Sequence, residues 1–268
     1  MRWPLSSLIF LFQLFTVPVF AEDAKTSSGM EKMALIEGGI YEMGSRRSLQ
    51  ELNPGDLLHH DRHALGPENP AHRVHVDAFF MDIYEVSNAD YQEYVKATGA
   101  KQPAYVDDPN FNGPTQPVVG VSWKEAVNYC EWKGKRLPTE AEWEKASRGK
   151  RRVIYPWGNE LPDKTKVNFN QEVKKTVPVG SYESGKSDYG IYDLSGNVAE
   201  WTHDWHLAEY YLFSPKENPQ GHEKGQYKVI RGGNWRNNPH DVNMVYRNAT
   251  LPTVRNKTVG FRCVKNAK

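Results

Sequence analysis

The chain has 268 residues, of which 34 are basic and 33 acidic. This balance excludes the strong positive field with which proteins bind nucleic acid or anionic membrane surfaces. Aromatic residues make up 12% of the sequence, beside 21 glycines and 17 prolines, which indicates a folded, loop-rich protein held together by aromatic packing. About 245 residues follow the N-terminal segment, enough for one large domain or two small ones.

The N-terminus has the pattern of an export signal. Arg2 precedes an apolar stretch over residues 5–20, and Ala21 supplies a small residue before an acidic pair. We predict a signal peptide over residues 1–21, followed by a disordered linker over residues 22–32. The protein would then be periplasmic or secreted, with no membrane attachment after cleavage. A transmembrane anchor is the alternative, but the stretch is short and interrupted for a membrane span.

Short strands and long loops are predicted for much of the remaining chain. Runs of β-branched and aromatic residues between turn residues predict strands at 36–43, 73–81 and 228–231. The stretches 45–71 and 100–118 are rich in Pro, Asp, Asn and Gly, which favours surface loops.

Three helices are predicted from their end signals. The second and third have a glutamate three residues after the capping side chain, which is the pattern of a capping box. Each helix is followed by a glycine, the usual residue just beyond a helix C-terminus. The predicted N-cap residues are Ser87, Ser122 and Thr139, and the glycines are Gly99, Gly134 and Gly149.

The chain contains two cysteines, Cys130 in the second predicted helix and Cys263 near the C-terminus. In an oxidising compartment such a pair favours a disulfide. Closing so long a loop would stabilise the fold by about 4 to 5 kcal/mol in the chain-entropy model. Two buried free thiols are the alternative.

The segment 193–200 combines hard oxygen donors. Asp193 and Glu200 carry carboxylates, and Gly196 permits a tight turn that directs its own carbonyl and that of Val198 inward. This mixture suits Ca²⁺ better than a soft metal ion. The alternative is a turn whose polar side chains only cap backbone amides.

Eight segments, taken in order along the chain, carry a resemblance to a known family. They are Gly38-Gly-Ile-Tyr-Glu-Met-Gly44, Val76-Asp-Ala-Phe-Phe-Met-Asp-Ile-Tyr-Glu-Val-Ser-Asn88, Pro117-Val-Val-Gly-Val-Ser-Trp123, Gly134-Lys-Arg-Leu-Pro-Thr-Glu-Ala-Glu-Trp-Glu144, Tyr155-Pro-Trp-Gly158, Tyr189-Gly-Ile-Tyr-Asp-Leu-Ser-Gly-Asn-Val-Ala-Glu-Trp201, Arg231-Gly-Gly-Asn-Trp235 and Gly260-Phe-Arg-Cys263. In this order the set resembles the formylglycine-generating enzyme family, also called sulfatase-modifying factors. The resemblance implies a C-type-lectin-like fold of the α/β (α+β) class with little regular secondary structure, as one domain over residues 33–266.

The resemblance also shows what this chain lacks. Active members carry two cysteines after Arg-Gly-Gly, bind copper(I) between them and use it with oxygen to convert a sulfatase cysteine into formylglycine. Asn237 and Val242 stand at those positions here. An amide and an alkyl group cannot replace the thiolate ligands of copper(I). Copper binding and formylglycine generation by that mechanism are therefore not expected.

Other site residues follow from the resemblance alone. It implies a disulfide between Cys130 and Cys263. Of a second calcium site of the family, only Asn168 and Phe169 are matched. Glu85 stands where some relatives have a metal-binding carboxylate, although a charge near a helix N-terminus is the simpler interpretation. The first calcium site of the family corresponds to Asp193, Gly196, Val198 and Glu200.

A ligand-binding groove is a further implication. Its arginines would bind carboxylates or carbonyls, and its tryptophan would pack against an extended peptide. The alternative is that both arginines pair with acidic side chains in the core. The groove residues would be Arg231, Asn234, Trp235 and Arg247.

Two groups of residues are candidates for a substitute metal centre. His240 and Met244 lie four apart, with Asp241 between them. Ordinary packing is the alternative for this pair. The second group is a histidine-rich stretch, for which a solvated loop with incidental histidines is the alternative. Its members are His59, His60, His63, His72 and His75.

Two functions are compatible with these features. The first is an exported, thiol-free family member that binds a protein or peptide partner as an accessory or maturation factor. The second is an oxidoreductase with altered chemistry, because family members that mature secreted siderophores or act beside respiratory enzymes also lack the cysteines. No Ser-His-Asp series, phosphate-binding loop or zinc pair supports another enzyme class.

Overall fold

The computed structural model describes Met1, residues 33–46 and residues 66–267. The chain from Lys32–Lys268 is one compact unit in which short elements alternate with long irregular loops, an α+β fold with little regular secondary structure. The α-helices are α1 (Asn88–Thr98), α2 (Trp123–Trp132) and α3 (Glu140–Arg148). The strands are β1 (Met33–Ile36), β2 (Gly39–Met43), β3 (His72–Val76), β4 (Phe79–Asp82), β5 (Ala199–Trp205), β6 (Lys228–Arg231), β7 (Asn248–Thr250), β8 (Val259–Gly260) and β9 (Val264–Asn266).

Both strands predicted before the first helix are split in two. β1 pairs with β4 and β2 with β3, all antiparallel, and one hairpin register continues across the break. At the break, a Cβ atom on Gly38 would lie 2.9 Å from the amide nitrogen of Ala78. The two backbones therefore pass too closely for a side chain, and the hairpin contributes to two sheets. β9 completes the first of these sheets beside β4.

Capping boxes begin all three α-helices, which confirms the predicted helix starts. The side chain of each N-cap residue accepts from the backbone N–H three residues later. In α1 the reciprocal partner is Asp90, which a search for Glu or Gln does not detect. Gly99 ends α1 in the left-handed conformation, with φ of 70°.

A four-stranded sheet brings distant sequence motifs together. Its order is β7-β6-β5-β8, with β5 antiparallel to β6 and parallel to β8. All four residues of β6 are buried, as are the first four of β5. Glu200 lies opposite Arg231 in the β5–β6 register. The segment that carries the calcium prediction is therefore adjacent to the segment that lacks the cysteines.

The predicted disulfide is confirmed. Cys130 in α2 and Cys263 before β9 are bonded, with their Cα atoms 5.7 Å apart. Both are fully buried in an aromatic core in which the rings of Tyr91 and Tyr129 stack with centroids 5.6 Å apart. Phe261 meets Tyr129 edge-on at 5.4 Å. The disulfide therefore fastens the end of the chain to the middle of the fold.

Within the described residues, no helix has the length and hydropathy needed to cross a membrane. The predicted signal peptide and linker lie outside the described residues apart from Met1, so both stay predictions. His59, His60 and His63 also lie outside the described residues.

Candidate functional site

Two glycines direct the segment that follows β6. Gly232 and Gly233 both have positive φ, 88° and 68°. A Cβ atom on Gly232 would lie 2.8 Å from the carbonyl oxygen of Leu194, and one on Gly233 would lie 2.4 Å from that of Asp241. Only glycine combines this conformation with so little space. The Arg-Gly-Gly sequence is therefore required by backbone packing.

Beneath this turn lies a cluster of buried ion pairs, here called the arginine cluster, formed by Glu140, Glu144, Arg231 and Arg247. Arg231 donates to Glu140 and to Glu144, each at 2.8 Å. Arg247 donates to both carboxylate oxygens of Glu140, at 2.7 and 2.9 Å. Burial would raise the pKa of Glu140, but the guanidiniums of Arg247 and Arg231 outweigh it and lower that pKa. Arg148 adds a further bond to Glu144 at 3.0 Å, so each of these carboxylates faces a guanidinium.

These contacts correct the assignment of Arg231 and Arg247 as groove residues. The side chains of Arg231 and Arg247 are 0% exposed. Trp235 is also buried, in an aromatic cluster, and only Asn234 stays partly exposed. The alternative in which the arginines pair with acidic side chains in the core is the one observed. A buried guanidinium needs such partners because an unpaired buried charge costs several kcal/mol, by a typical figure of about 3 to 5.

The two positions that hold cysteines in active relatives are structural here. Val242 is fully buried in an apolar cluster that includes Tyr155. Asn237 closes a turn, because its Oδ1 accepts from the amide of Asn234 at 3.0 Å and its Nδ2 donates to Asp241 at 3.2 Å. Both cysteines of the chain are disulfide-bonded, so neither can act as a thiolate. The donor set does not fit copper(I).

The first candidate for a substitute metal centre, His240 with Met244, has one exposed and one buried side chain. His240 is exposed on a short 3-10 helix, Pro239–Val242, whereas Met244 is fully buried in the main core. The two side chains therefore lie in different environments, and ordinary packing accounts for Met244. Of the histidine-rich stretch, only His72 and His75 are described. Across residues 33–46 and 66–267, no three or more His, Cys, Asp or Glu side chains are grouped to hold a metal ion.

Asp193 and Glu200 are brought together with Glu85 around Arg262, and these four residues are here called the carboxylate cluster. Arg262 donates to both oxygens of Glu200, at 2.7 and 2.8 Å. Asp193 accepts from a backbone amide at 2.6 Å, and Glu85 accepts from the side chain of Asn197 at 2.8 Å. Of these three buried carboxylates, only Glu200 pairs with the guanidinium, and Glu85 and Asp193 form no ion pair within the described residues.

This excess of negative charge affects the protonation of the carboxylate cluster. Burial, followed by the charges of Asp193 and Glu200, raises the pKa of Glu85 well above its ordinary value. Burial raises the pKa of Asp193 to about 6, with a smaller contribution from Glu200. Both groups gain from binding a proton or another cation.

The calcium prediction can be compared with this geometry. At Gly196, with φ of 72°, a Cβ atom would lie 2.4 Å from the carbonyl oxygen of Asn168, so the tight turn predicted from the sequence is present. The Oδ1 atom of Asn168 is buried without a hydrogen-bond partner within the described part of the chain. The oxygens of Glu200 are already engaged by Arg262, and an ion would share them. The carboxylates of Asp193 and Glu200 and the carbonyls of this turn are hard oxygens, which fit the chemistry of calcium. Asn168 belongs to the second calcium site that the resemblance implies.

An open cleft of about 530 Å³ lies beside the 3-10 helix. Sequence patterns did not identify this cleft, because its walls come from three distant parts of the chain. The segment after the arginine cluster contributes one wall, and the ends of β2 and α3 contribute the others. The lining residues include Arg46, Glu68, Arg152, Ile154, His240, Asn243 and Val245.

The cleft presents both donors and acceptors to solvent. Arg46 and Arg152, with side chains 66% and 45% exposed, both pair with the carboxylate of Glu42. Two guanidiniums sharing one carboxylate leave N–H groups available to a ligand. Ile154 adds an apolar surface, 50% exposed. Such a mixture matches the donors, acceptors and side chains of a polypeptide.

Comparison with known sequences identifies the class of protein. Residues 18–267 match the sequence pattern of the Sulfatase-modifying factor enzyme 1-like domain. The chain is also 31% identical to the formylglycine-generating enzyme of Thermomonospora curvata, over 86% of this chain and 92% of that enzyme. This chain therefore belongs to the sulfatase-modifying factor family.

Other relatives carry different names. The chain is 36% identical to a protein of Chlamydia caviae named serine/threonine-protein kinase pkn1, over 92% of this chain but only 40% of that protein's length. Hercynine oxygenase of Mycolicibacterium smegmatis is 31% identical over 75% of this chain and 56% of that enzyme. Among solved structures, PvdO from Pseudomonas aeruginosa has a TM-score of 0.71 at 27% identity, covering 88% of this chain and 94% of that one. Proteins that are similar to this chain thus carry several different names.

Proposed function

We propose that this chain is a thiol-free accessory or maturation factor that binds a protein or peptide partner in the cleft between β2, the end of α3 and the 3-10 helix. One observation carries the proposal. At the positions of the missing cysteines, Val242 is buried in the core and Asn237 closes a turn, whereas the segment beside them lines an open cleft of about 530 Å³. A volume of this size is typical of ligand pockets.

Recognition would use the exposed side chains of the cleft. The N–H groups of Arg46 and Arg152 would donate to carbonyl or carboxylate oxygens of the partner. Asn243 can both donate and accept, and Ile154 with Val245 would cover an apolar side chain. The buried arginines take no part in binding, because the arginine cluster already satisfies them.

A peptide library displayed on phage, selected against the purified protein, tests the proposal. We expect selected peptides to lose about tenfold in affinity for the variant Arg152→Gln, measured by isothermal titration calorimetry, because a charge-assisted bond contributes roughly 1.5 kcal/mol. Arg151→Gln is the matched control, since Arg151 is the adjacent arginine and pairs with Asp188 outside the cleft. Failure to select any peptide, or equal affinities for all three proteins, would contradict partner binding in this cleft.

We also propose a calcium ion on the segment 193–200, held by Asp193 and the carbonyls of Gly196 and Val198, with Glu200 shared with Arg262. The excess of buried carboxylates and the tight turn at Gly196 support it. In thermal melts we expect Ca²⁺ to raise the Tm of the protein relative to EDTA, and Asp193→Asn to abolish the rise. Asp188→Asn is a control on the surface. Equal melting temperatures in Ca²⁺ and EDTA would contradict the site.

Export is a further part of the proposal. The disulfide between Cys130 and Cys263 supports it, because disulfides persist mainly in oxidising compartments. N-terminal sequencing of the protein from its native cell envelope or medium should find Glu22 as the first residue. Full-length protein in the cytoplasm with both cysteines reduced would contradict export.

An oxidoreductase with altered chemistry is the second candidate, and the oxygenase and formylglycine-generating relatives favour it. It requires a redox centre that does not depend on thiolates. Metal analysis of the purified protein, with oxygen uptake measured on the selected peptides, separates the two functions. Near-stoichiometric copper or iron with oxygen consumption would establish the enzyme, whereas peptide binding without turnover would establish the accessory factor.

A further inference from the structure

A second pocket, of about 420 Å³, lies between β3, Ile40 of β2 and the segment 211–217, and it shares no lining residue with the cleft. The segment 211–217 forms its outer wall and is fixed to β3 by backbone bonds. The amide of His75 donates to the carbonyl of Lys216 at 2.7 Å, and the amide of Asn218 donates to the carbonyl of His75 at 2.8 Å. The ring of His72 meets that of Tyr211 edge-on at 4.7 Å. The pocket is therefore built from fixed elements.

One side of this pocket is apolar. Val74 and Tyr211 are buried at its base, and Ile40 and Leu212 line it with 60% and 69% of their surfaces exposed. Such exposed large aliphatic side chains beside a concave surface are typical of a binding site. An apolar group of a ligand would bury them.

The other side is cationic. Arg73 and Lys216 line the pocket, and neither forms an ion pair with any residue in the described ranges. Glu217 is the acidic lining residue, and its carboxylate lies 3.0 Å from Nδ1 of His75. With Glu217 present, the charges favour one negative charge on a ligand over two. A planar carboxylate matches the fork of a guanidinium.

We propose that this pocket binds a monocarboxylate that carries an apolar group, with the carboxylate between Arg73 and Lys216 and the apolar group against Ile40 and Leu212. A free aliphatic acid and the C-terminus of a peptide ending in a hydrophobic residue share this chemistry. The proposal is independent of partner binding in the cleft, because the two sites have no residue in common.

Titration of the full chain with N-acetyl-L-leucine, followed by NMR, tests the proposal. We expect saturable binding, with N-acetyl-L-leucinamide and acetate each bound at least about tenfold more weakly, because the first lacks the charge and the second the apolar group. Octanoate and a tetrapeptide ending in leucine then distinguish the two sources, since the tighter ligand indicates which one the site accepts. Equal binding of the acid and its amide would overturn the proposal.

Variants locate the site. Arg73→Gln and Lys216→Gln should each weaken binding of N-acetyl-L-leucine by about fivefold or more, and Leu212→Ser should do so without changing the preference for acid over amide. Lys101→Gln is the matched control, an exposed lysine outside the pocket. Circular dichroism melts confirm that each variant is folded. Unchanged affinity in both Arg73→Gln and Lys216→Gln would place the ligand elsewhere and overturn the proposal.

Discussion

The arginine cluster and the carboxylate cluster meet where Arg231 on β6 lies opposite Glu200 on β5, yet only the first has its buried carboxylates fully paired with guanidiniums. In the first, Glu140 and Glu144 each face at least one guanidinium. In the second, Arg262 pairs with Glu200 alone, and Glu85 and Asp193 form no ion pair within the described residues. Burial acts to raise the pKa in both places, but the guanidiniums of Arg247 and Arg231 lower the pKa of Glu140, whereas the charges of Asp193 and Glu200 raise that of Glu85 further. A buried charge is therefore structural where it is matched, and able to accept a cation where it is not.

Removing a cation from the matched cluster should have the largest effect. Arg231→Met leaves two buried carboxylates short of a partner, so the free energy of unfolding should fall by about 3 to 5 kcal/mol. Urea denaturation at pH 7 measures it. Arg236→Met, on an exposed side chain of the same segment, should change stability by less than about 0.5 kcal/mol. Comparable losses in both variants would mean that the cluster is not the source of stability.

The next largest effect is expected in the carboxylate cluster, where the free energy of unfolding should depend on pH through Asp193. The pKa of Asp193 in the folded state, about 6, lies above its ordinary value of 3.8. The folded protein therefore binds more protons between these values, so the contribution of Asp193 is complete below pH 3.8 and is lost as pH rises through 6. The loss amounts to about 3 kcal/mol, from 1.36 kcal/mol for each pKa unit.

In EDTA, the difference in unfolding free energy between the protein and Asp193→Asn should show this slope between about pH 4 and pH 6. Saturating Ca²⁺ should flatten the slope if the ion replaces the proton. A difference that does not vary with pH would mean that burial does not raise the pKa of Asp193.

Neutralising a single glutamate should destabilise the protein much more in the arginine cluster than in the carboxylate cluster. Glu144→Gln removes a charge that Arg231 and Arg148 require, and should cost about 2 to 4 kcal/mol. Glu85→Gln removes a charge that its neighbours oppose, and should change stability by no more than about 1 kcal/mol. Urea unfolding of both variants at pH 7 in EDTA measures the contrast. Equal costs would remove the distinction between matched and unmatched charge.

The smallest effect is expected at the surface. Arg152→Gln removes an exposed pair with Glu42, which should change stability by less than about 1 kcal/mol. The same substitution is expected to weaken peptide binding, so affinity and stability would be separated in one variant. A large loss of stability would show that Arg152 supports the fold, and its effect on binding could then not be assigned to contact with the peptide.

Local signals predicted the helices well, and long-range packing explains what they missed. The caps at Ser87, Ser122 and Thr139 act within a few residues, so the sequence alone places them. The break in the first hairpin depends on the approach of Gly38 to Ala78, forty residues away, which no local pattern contains.

The site residues also divide into those that the sequence could predict and those that depend on long-range packing. The pairing of Cys130 with Cys263 followed from family resemblance, and the structure confirms it. The burial of Arg231 could not be decided from the sequence, because an arginine beside a cleft and one beneath it have the same local context. Only the position of α3 under β6, which brings Glu140 and Glu144 within reach, determines the outcome.

The double glycine after β6 also bears on how such proteins change activity. Its two residues, with the buried Arg231 before them, fix the path of the segment through backbone and core contacts alone. Asn237 and Val242 lie further along that path, where Asn237 closes a turn and Val242 packs in an apolar cluster. The residues that fix the path of the segment are therefore different from those at the two cysteine positions of the family. A scaffold of this kind can lose its catalytic side chains by substitution and keep its shape, which leaves its surface free to acquire another role.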